Sequence, residues 1–230
     1  MLQNEEEIGV VDTGSLTRRW ITYAVGIYLL TFGVSLAIRA GIGISPQSSL
    51  TRTMTLVFPS MSQGTFNFIL ELLMLLLTYL VMPKAFKLRN FLSLIPALAL
   101  ASFLDLNLKL TQWIVLDAYA AKFTLLVLAD ATLAFGLFLM IRANLVLMPV
   151  DMFVNTVFQR TGWKWGNLKT SFDCTLLVIS AAVGLICLGS PHFIREGTII
   201  NGILVGQYIR LYFILFHRFS PKPAQAPDPA

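Results

Sequence analysis

FGVSLAIRAGIGISPQSSL, residues 32–50, runs from the end of a long apolar segment into glycines, a Ser-Pro and small polar residues. FGLFLMIRANLVLMPVDMF, residues 135–153, repeats it at an offset of 103, with six of the first nine positions identical. Pro46 falls on Pro149, Ser48 on Asp151 and Thr53 on Thr156. One residue is then lost, and at an offset of 102 Gly64 meets Gly166 and Glu71 meets Asp173. Shared Leu, Ile and Ala are cheap in apolar sequence. Shared Arg, Pro and Gly in one order are not, so the match reads as an internal repeat.

The solvent of these repeats follows from composition. The 230 residues are 56% hydrophobic and 13% charged, with mean hydropathy +0.74. A water-soluble domain of this size would lack the polar surface to cover itself. Crossing a bilayer takes about 20 apolar residues. Six runs qualify: Trp20–Ile38, Thr65–Met82, Phe91–Leu108, Ala121–Ile141, Asn167–Leu188 and Thr198–Phe216. The fold class expected is all-α integral membrane. Tails at 1–19 (cytoplasmic) and 217–230 (Pro- and Ala-rich, disordered) flank membrane repeats at 20–108 and 121–216, joined by a loop at 109–120.

Net charge +5 and a pI near 9.4 do not imply a nucleic-acid partner, because the cations sit between apolar runs rather than in a patch. Arg18 and Arg19, then Lys84, Lys87 and Arg89, then His217, Arg218 and Lys222 all fall on one side if both termini are cytoplasmic, as the positive-inside rule prefers. That count requires residues 46–58 and 149–161 not to cross fully. Each half then has an odd number of crossings, so the second is inserted upside down: two inverted three-span repeats, as in many transporters. Cys174 and Cys187 lie 13 residues apart in one span. Helix rise separates them by roughly 20 Å, too far to bridge.

Each short segment opens on a proline, which suits the first turn of a helix. Two placements fit. GIGIS can run extended back into the membrane, roughly 15–20 Å for five or six residues, so that a half-helix climbs out again from Pro46. Alternatively, each segment lies flat at an interface. In the re-entrant case both helix N-termini meet near the midplane, and their free N–H groups favour an anionic or polar solute. Ser45, Pro46, Gln47 and Ser48 with Pro149 and Asp151 would line that site.

Charged residues inside spans are costly and are functional candidates. Glu71 and Asp173 each lie seven residues past their matched glycine, about 10 Å in from opposite faces. They are the expected coupling acids, with Asp130 in span four as a third, either a relay or a structural partner of Lys122 or Arg210. Asp151, third in its helix, also suits a simple dipole cap. Arg39 and Arg142 close spans one and four and serve a solute site if those spans break early; otherwise they snorkel. Asp105 and Arg210 align with opposite sign and predict an ion pair between repeats. Lys169 is expected to snorkel, Trp163 and Trp165 to anchor at an interface, and His192 to sit in a loop.

RAGIGISPQSSL, Gly64, RANLVLMPVDMF and TGWKWGNLKTSFD together resemble the YczE/YyaS/YitT-like family of small bacterial integral membrane proteins. The resemblance implies a Gly-rich stretch, a Ser-Pro or Pro-x-Asp, a Thr-Gly-x-x-x-Gly and a downstream acid, which Thr161–Gly166 and Asp173 match. FPSMSQG lacks the Thr-Gly, and Gln47-Ser48 stands where Pro-x-Asp is expected. It covers all six spans and neither tail, and it implies an architecture rather than an activity.

No nucleophile–base set, metal cluster, Walker loop or dinucleotide fingerprint occurs, so neither an enzyme nor a cofactor or metal protein is expected. The expectation is a multi-pass protein of the bacterial inner membrane. It would be a secondary transporter of a small anionic or zwitterionic solute, proton-coupled and capable of homo-oligomerisation. The alternatives are a passive channel, or a ligand-binding or accessory subunit of another membrane system.

Overall fold

Local chemistry sets helix ends that hydropathy only brackets. The computed structural model describes residues 14–191 and 193–219, and every regular element among them is helical. In chain order these are α1 Leu16–Ala40, α2 Pro46–Val57, α3 Gln63–Val81, a 3-10 turn Leu88–Ser93 leading into α4 Leu94–Leu110, α5 Tyr119–Ala143, α6 Pro149–Thr161, α7 Trp165–Leu188 and α8 Glu196–Phe219. Six of these are long and apolar enough to cross a membrane: α1, α3, the turn with α4, α5, α7 and α8. Ser15 and Ser62 cap α1 and α3, accepting from the N–H groups of Arg18 and Thr65. The first helix therefore takes residues 16–19 from the expected tail, and α8 takes residues 217–219. The remaining tail expectations, and that for His192, fall outside the described residues.

α1 and α5 end alike. Gly41 closes α1 with φ 69° and Asn144, its counterpart at the offset of 103, closes α5 with φ 43°. Asn is the residue other than Gly that best tolerates this left-handed geometry.

The most extensive helix contact is between these same two helices. A Cβ added at Gly33 would sit 2.5 Å from Leu133 N and 2.7 Å from Ala129 O. One added at Gly136 would sit 2.4 Å from Leu30 N and 2.6 Å from Gly26 O. Subtracting 103 turns the first set of contacts into the second, so the crossing is reciprocal as well as antiparallel. Small residues bring the backbones together, the way membrane helices associate where no hydrophobic drive separates helix from lipid.

Other contacts come in matching pairs. α4 lies on α1 as α8 lies on α5, and α2 packs against α7 as α6 packs against α3. One pair is broken. Gly64 lets α3 press onto α4, where a Cβ would fall 2.2 Å from Ala101 O, whereas a Cβ on Gly166 meets nothing within 4 Å.

Two contacts place α6 along α3. The N–H of Val150, at the start of α6, donates to Glu71, at the middle of α3. Arg160, near the end of α6, donates to the Val81 carbonyl, at the end of α3. Thus α6 runs beside the second half of α3 only. α2 lies on α7 through Ser49 and Thr53, whose hydroxyls each pair with Ser180 Oγ at 3.0 Å. Outward faces carry Leu80, Ile186 and Ile199, all exposed, as suits helices facing lipid.

Candidate functional site

Glu71 is the ninth residue of α3, and 1% of it is exposed. Its Oε2 accepts the Val150 N–H at 3.1 Å, a donor that no intrahelical carbonyl can reach in the first turn of α6. Its Oε1 accepts from Gln47 Nε2 at 3.1 Å, and the same amide donates to Asn67 Oδ1 at 3.1 Å. One buried carboxyl therefore ties the start of α2 to the start of α6. Proline at the first position of each helix leaves the second residue as the nearest N–H, or, in α2, as the side chain that reaches out. Ser45, which precedes Pro46, donates its hydroxyl to Ser48 Oγ at 2.9 Å and caps no backbone N–H of α2.

Asp151 lies beside Val150, within electrostatic reach of both Lys169 and Asp173. Lys169 pairs with Asp173 one turn on, at 3.0 Å, rather than snorkelling. Glu71 in turn feels Asp151 and Lys169. Tyr23, 2% exposed, closes the group from α1 and donates its hydroxyl to Val146 O at 2.7 Å. The structure thus gathers Gln47, Glu71, Pro149, Asp151 and Asp173. The matched acids are not equivalent. Glu71 is sealed against two helix ends, whereas the Asp173 side chain is 31% exposed beside a lysine.

The comparisons with known proteins meet this geometry at the level of the family. The family described as "Family of unknown function (DUF6198)" matches residues 17–213, which includes every residue of the site. The chain belongs to DUF6198. It is also 26% identical over 196 residues to the uncharacterized membrane protein YczE of Bacillus subtilis (strain 168), covering 85% of each chain. No solved structure matches. The DUF6198 match and the YczE similarity agree with the resemblance carried by the Gly-Ser-Pro stretch, and with a multi-pass membrane protein.

Elsewhere in this DUF6198 chain, three expected site residues have other partners. Arg39 donates to the Leu108 carbonyl at 2.6 Å and to Thr111 Oγ1 at 3.4 Å, at the C-terminal end of α4. Arg142 stacks over the Phe216 ring at 4.0 Å, near the end of α8. Both arginines fasten helix ends, which suits a cation at the negative end of a helix dipole.

Asp130 is fully buried and accepts from Asn201 Nδ2 at 2.6 Å, joining α5 to α8. Its partner is neither Lys122 nor Arg210, because Asn201 faces it from the adjoining helix. Nor does Asp105 pair with Arg210: it accepts the Gly64 N–H at 2.8 Å and the Ser62 hydroxyl, capping α3 beside it. Helix packing decided both partnerships, and sign complementarity did not. We expect Asp130→Asn to melt within about 1 kcal/mol of the parent, because it keeps an oxygen for Asn201. Asp130→Leu strands that amide and costs about 1–3 kcal/mol, read by thermal unfolding in detergent.

Sequence reasoning missed Tyr23, Asn67, Gln63 and Ser180. A signal existed for two of them. Gln63, Asn67 and Glu71 recur every four residues, one polar stripe on an otherwise apolar helix. Two open surface clefts lie towards the ends of the neighbouring helices, and no residue of the Glu71 group lines either. One of about 530 Å³ is lined by residues of 81–85 and Arg160, and one of about 680 Å³ by Trp163, Lys164, Asn167, Thr170 and Ser171. Trp163 is exposed.

Proposed function

We propose that this chain is a proton-coupled secondary transporter of a small anionic or zwitterionic solute, working in the bacterial inner membrane with both termini cytoplasmic. In this reading the halves are inverted three-span repeats and α2 and α6 are re-entrant half-helices. The observation that carries it is the position of Glu71: halfway along a membrane-length helix, fully enclosed, and bonded to the first turns of both short helices. Carboxylates at membrane depth are retained for ion or proton work far more than for stability. The reciprocal α1–α5 crossing and the run of α6 beside only half of α3 support the inverted, re-entrant arrangement.

The chemistry follows from what Glu71 occupies. When ionised, it fills the anion-attracting start of α6 with a tethered anion. Protonation removes that charge and weakens its hold on the Val150 N–H. An anionic group of the solute then takes the same N–H, so solute and proton enter together. Solute leaves past Asp151 and Asp173, where Lys169 offsets part of the acidic charge, and along Ser171, Thr170 and Asn167 to the cytoplasmic side. Rocking of one repeat on the other about the α1–α5 crossing moves the loaded site across.

The test is a panel of small carboxylates and amino acids offered to proteoliposomes containing a trapped pH dye. At least one should drive saturable proton entry. A panel that moves no protons while a member still accumulates would point to the passive channel, and specific co-purification of an ATPase to the subunit reading.

A further inference from the structure

The polar stripe on α3 continues beyond Glu71 in a way transport by Glu71 alone leaves unused. Asn67 is 4% exposed and Gln63 2%. The Asn67 Nδ2 and both polar atoms of the Gln63 amide have no hydrogen-bond partner among the described residues. Such groups are expensive in an apolar interior, and a typical cost of about 1–3 kcal/mol each is usually avoided by pairing or by ordered water. Three orphaned atoms on consecutive turns of one helix, offering both donors and an acceptor, suit water better than any fixed side chain. The stripe starts beside Ser62, which is exposed, and Asp105, which is half-exposed and bonded to the first turn of α3. From Gln63 to Glu71 is eight residues, about 12 Å along the helix.

We infer that the α2–α3 seam is a hydrated proton path, entered at Asp105 and Ser62, passing Gln63 and Asn67 and ending on the Glu71 carboxyl. Protons arrive from bulk water on the Ser62 face and are handed along ordered water; Gln47 holds the far end in register with Asn67 and Glu71. The charged and titratable groups facing Glu71 from its other neighbours are Asp151 on α6, Lys169 on α7 and Tyr23 on α1. None of these lies on the seam. Proton entry and solute release are thereby separated: protons reach Glu71 from the end where α3 begins, and solute leaves by the clefts near where α3 ends. The inference rests on Glu71 being the proton acceptor of the proposed transport.

The test uses the full chain with Cys174→Ser and Cys187→Ser, which removes both free, exposed thiols. Gln63→Cys, Asn67→Cys and the lipid-facing control Ile69→Cys are treated with a charged, membrane-impermeant methanethiosulfonate in right-side-out and inverted vesicles. A thiol must ionise in water to react, so both stripe positions should label at least about tenfold faster than Ile69→Cys. They should do so only when the reagent is on the Ser62 face. Labelling no faster than the Ile69 control, or faster from the opposite face, overturns the path. The transport reading has its own readout. If the stripe labels as expected but Glu71→Gln leaves proton uptake intact, the seam is hydrated but does not deliver protons to Glu71, and the role of Glu71 falls.

Discussion

On the proposed transport, Glu71→Gln should abolish solute-driven proton entry into proteoliposomes and leave the protein folded. The substitution keeps one oxygen, which accepts the Val150 N–H, and places an NH2 where Gln47 Nε2 donated; the Gln47 amide turns its oxygen to accept from it, so the starts of α2 and α6 remain tied. It removes the proton that the proposed coupling uses. The expected loss of coupled uptake is at least about a hundredfold, near the low end of what removing a positioned acid–base group costs. The melting temperature should stay within about 4 °C, the shift that roughly 1 kcal/mol produces in a chain of this size. Glu71→Ala separates the two roles. It strands the buried Val150 N–H as well, and costs a further 1–3 kcal/mol or so of stability. Full uptake in the Gln variant would remove Glu71 from the mechanism. A Gln variant that fails to fold would show that the charge holds the helix ends together.

The second large effect is on folding. Gly136→Leu or Gly33→Leu should leave little folded protein in detergent extracts, measured by fluorescence-detected size exclusion. At either position even the first added carbon falls within 2.5 Å of a backbone nitrogen on the facing helix, where nothing flexible is able to yield. Overpacking a close-packed interface costs about 1–3 kcal/mol when side chains give way, and more when backbone must move. The reciprocity of the crossing makes a finer prediction: the two variants should lose similar amounts. Gly206→Leu is the control. A Cβ there meets nothing within 4 Å, and the helix gains from losing a glycine. A fold that tolerates Gly136→Leu as well as Gly206→Leu would mean that the two halves do not meet at this crossing.

The membrane class, the six long apolar helices and the match between halves were legible because each is written in neighbouring residues. Hydropathy accumulates along a helix, and a repeat is a repeat whatever it packs against. Gly33 and Gly136 were already aligned by their sequence copies, but what they touch was not. Glu71 stood out for a similar reason: a carboxyl in an apolar run is conspicuous before any packing is known. Its pairing with Val150, 79 residues on, was not, since no local pattern encodes which helix end arrives at that depth.

Sign complementarity misled where packing ruled. Asp105 found the Gly64 N–H and the Ser62 hydroxyl at the start of its neighbour α3, and Asp130 found an asparagine, because an acid between helices takes whatever donor the adjoining turn presents. The two matched halves also diverged in what they enclose: Tyr23 closes one end of the crossing where Leu126 closes the other, and Glu71 is sealed while Asp173 keeps a lysine and some solvent. Sequence alone determined that this protein is a membrane helix bundle with a duplicated plan. Tertiary structure decided which copy of each polar residue lies at the centre, because burial and hydrogen bonding depend on the helices brought alongside and not on position within a repeat.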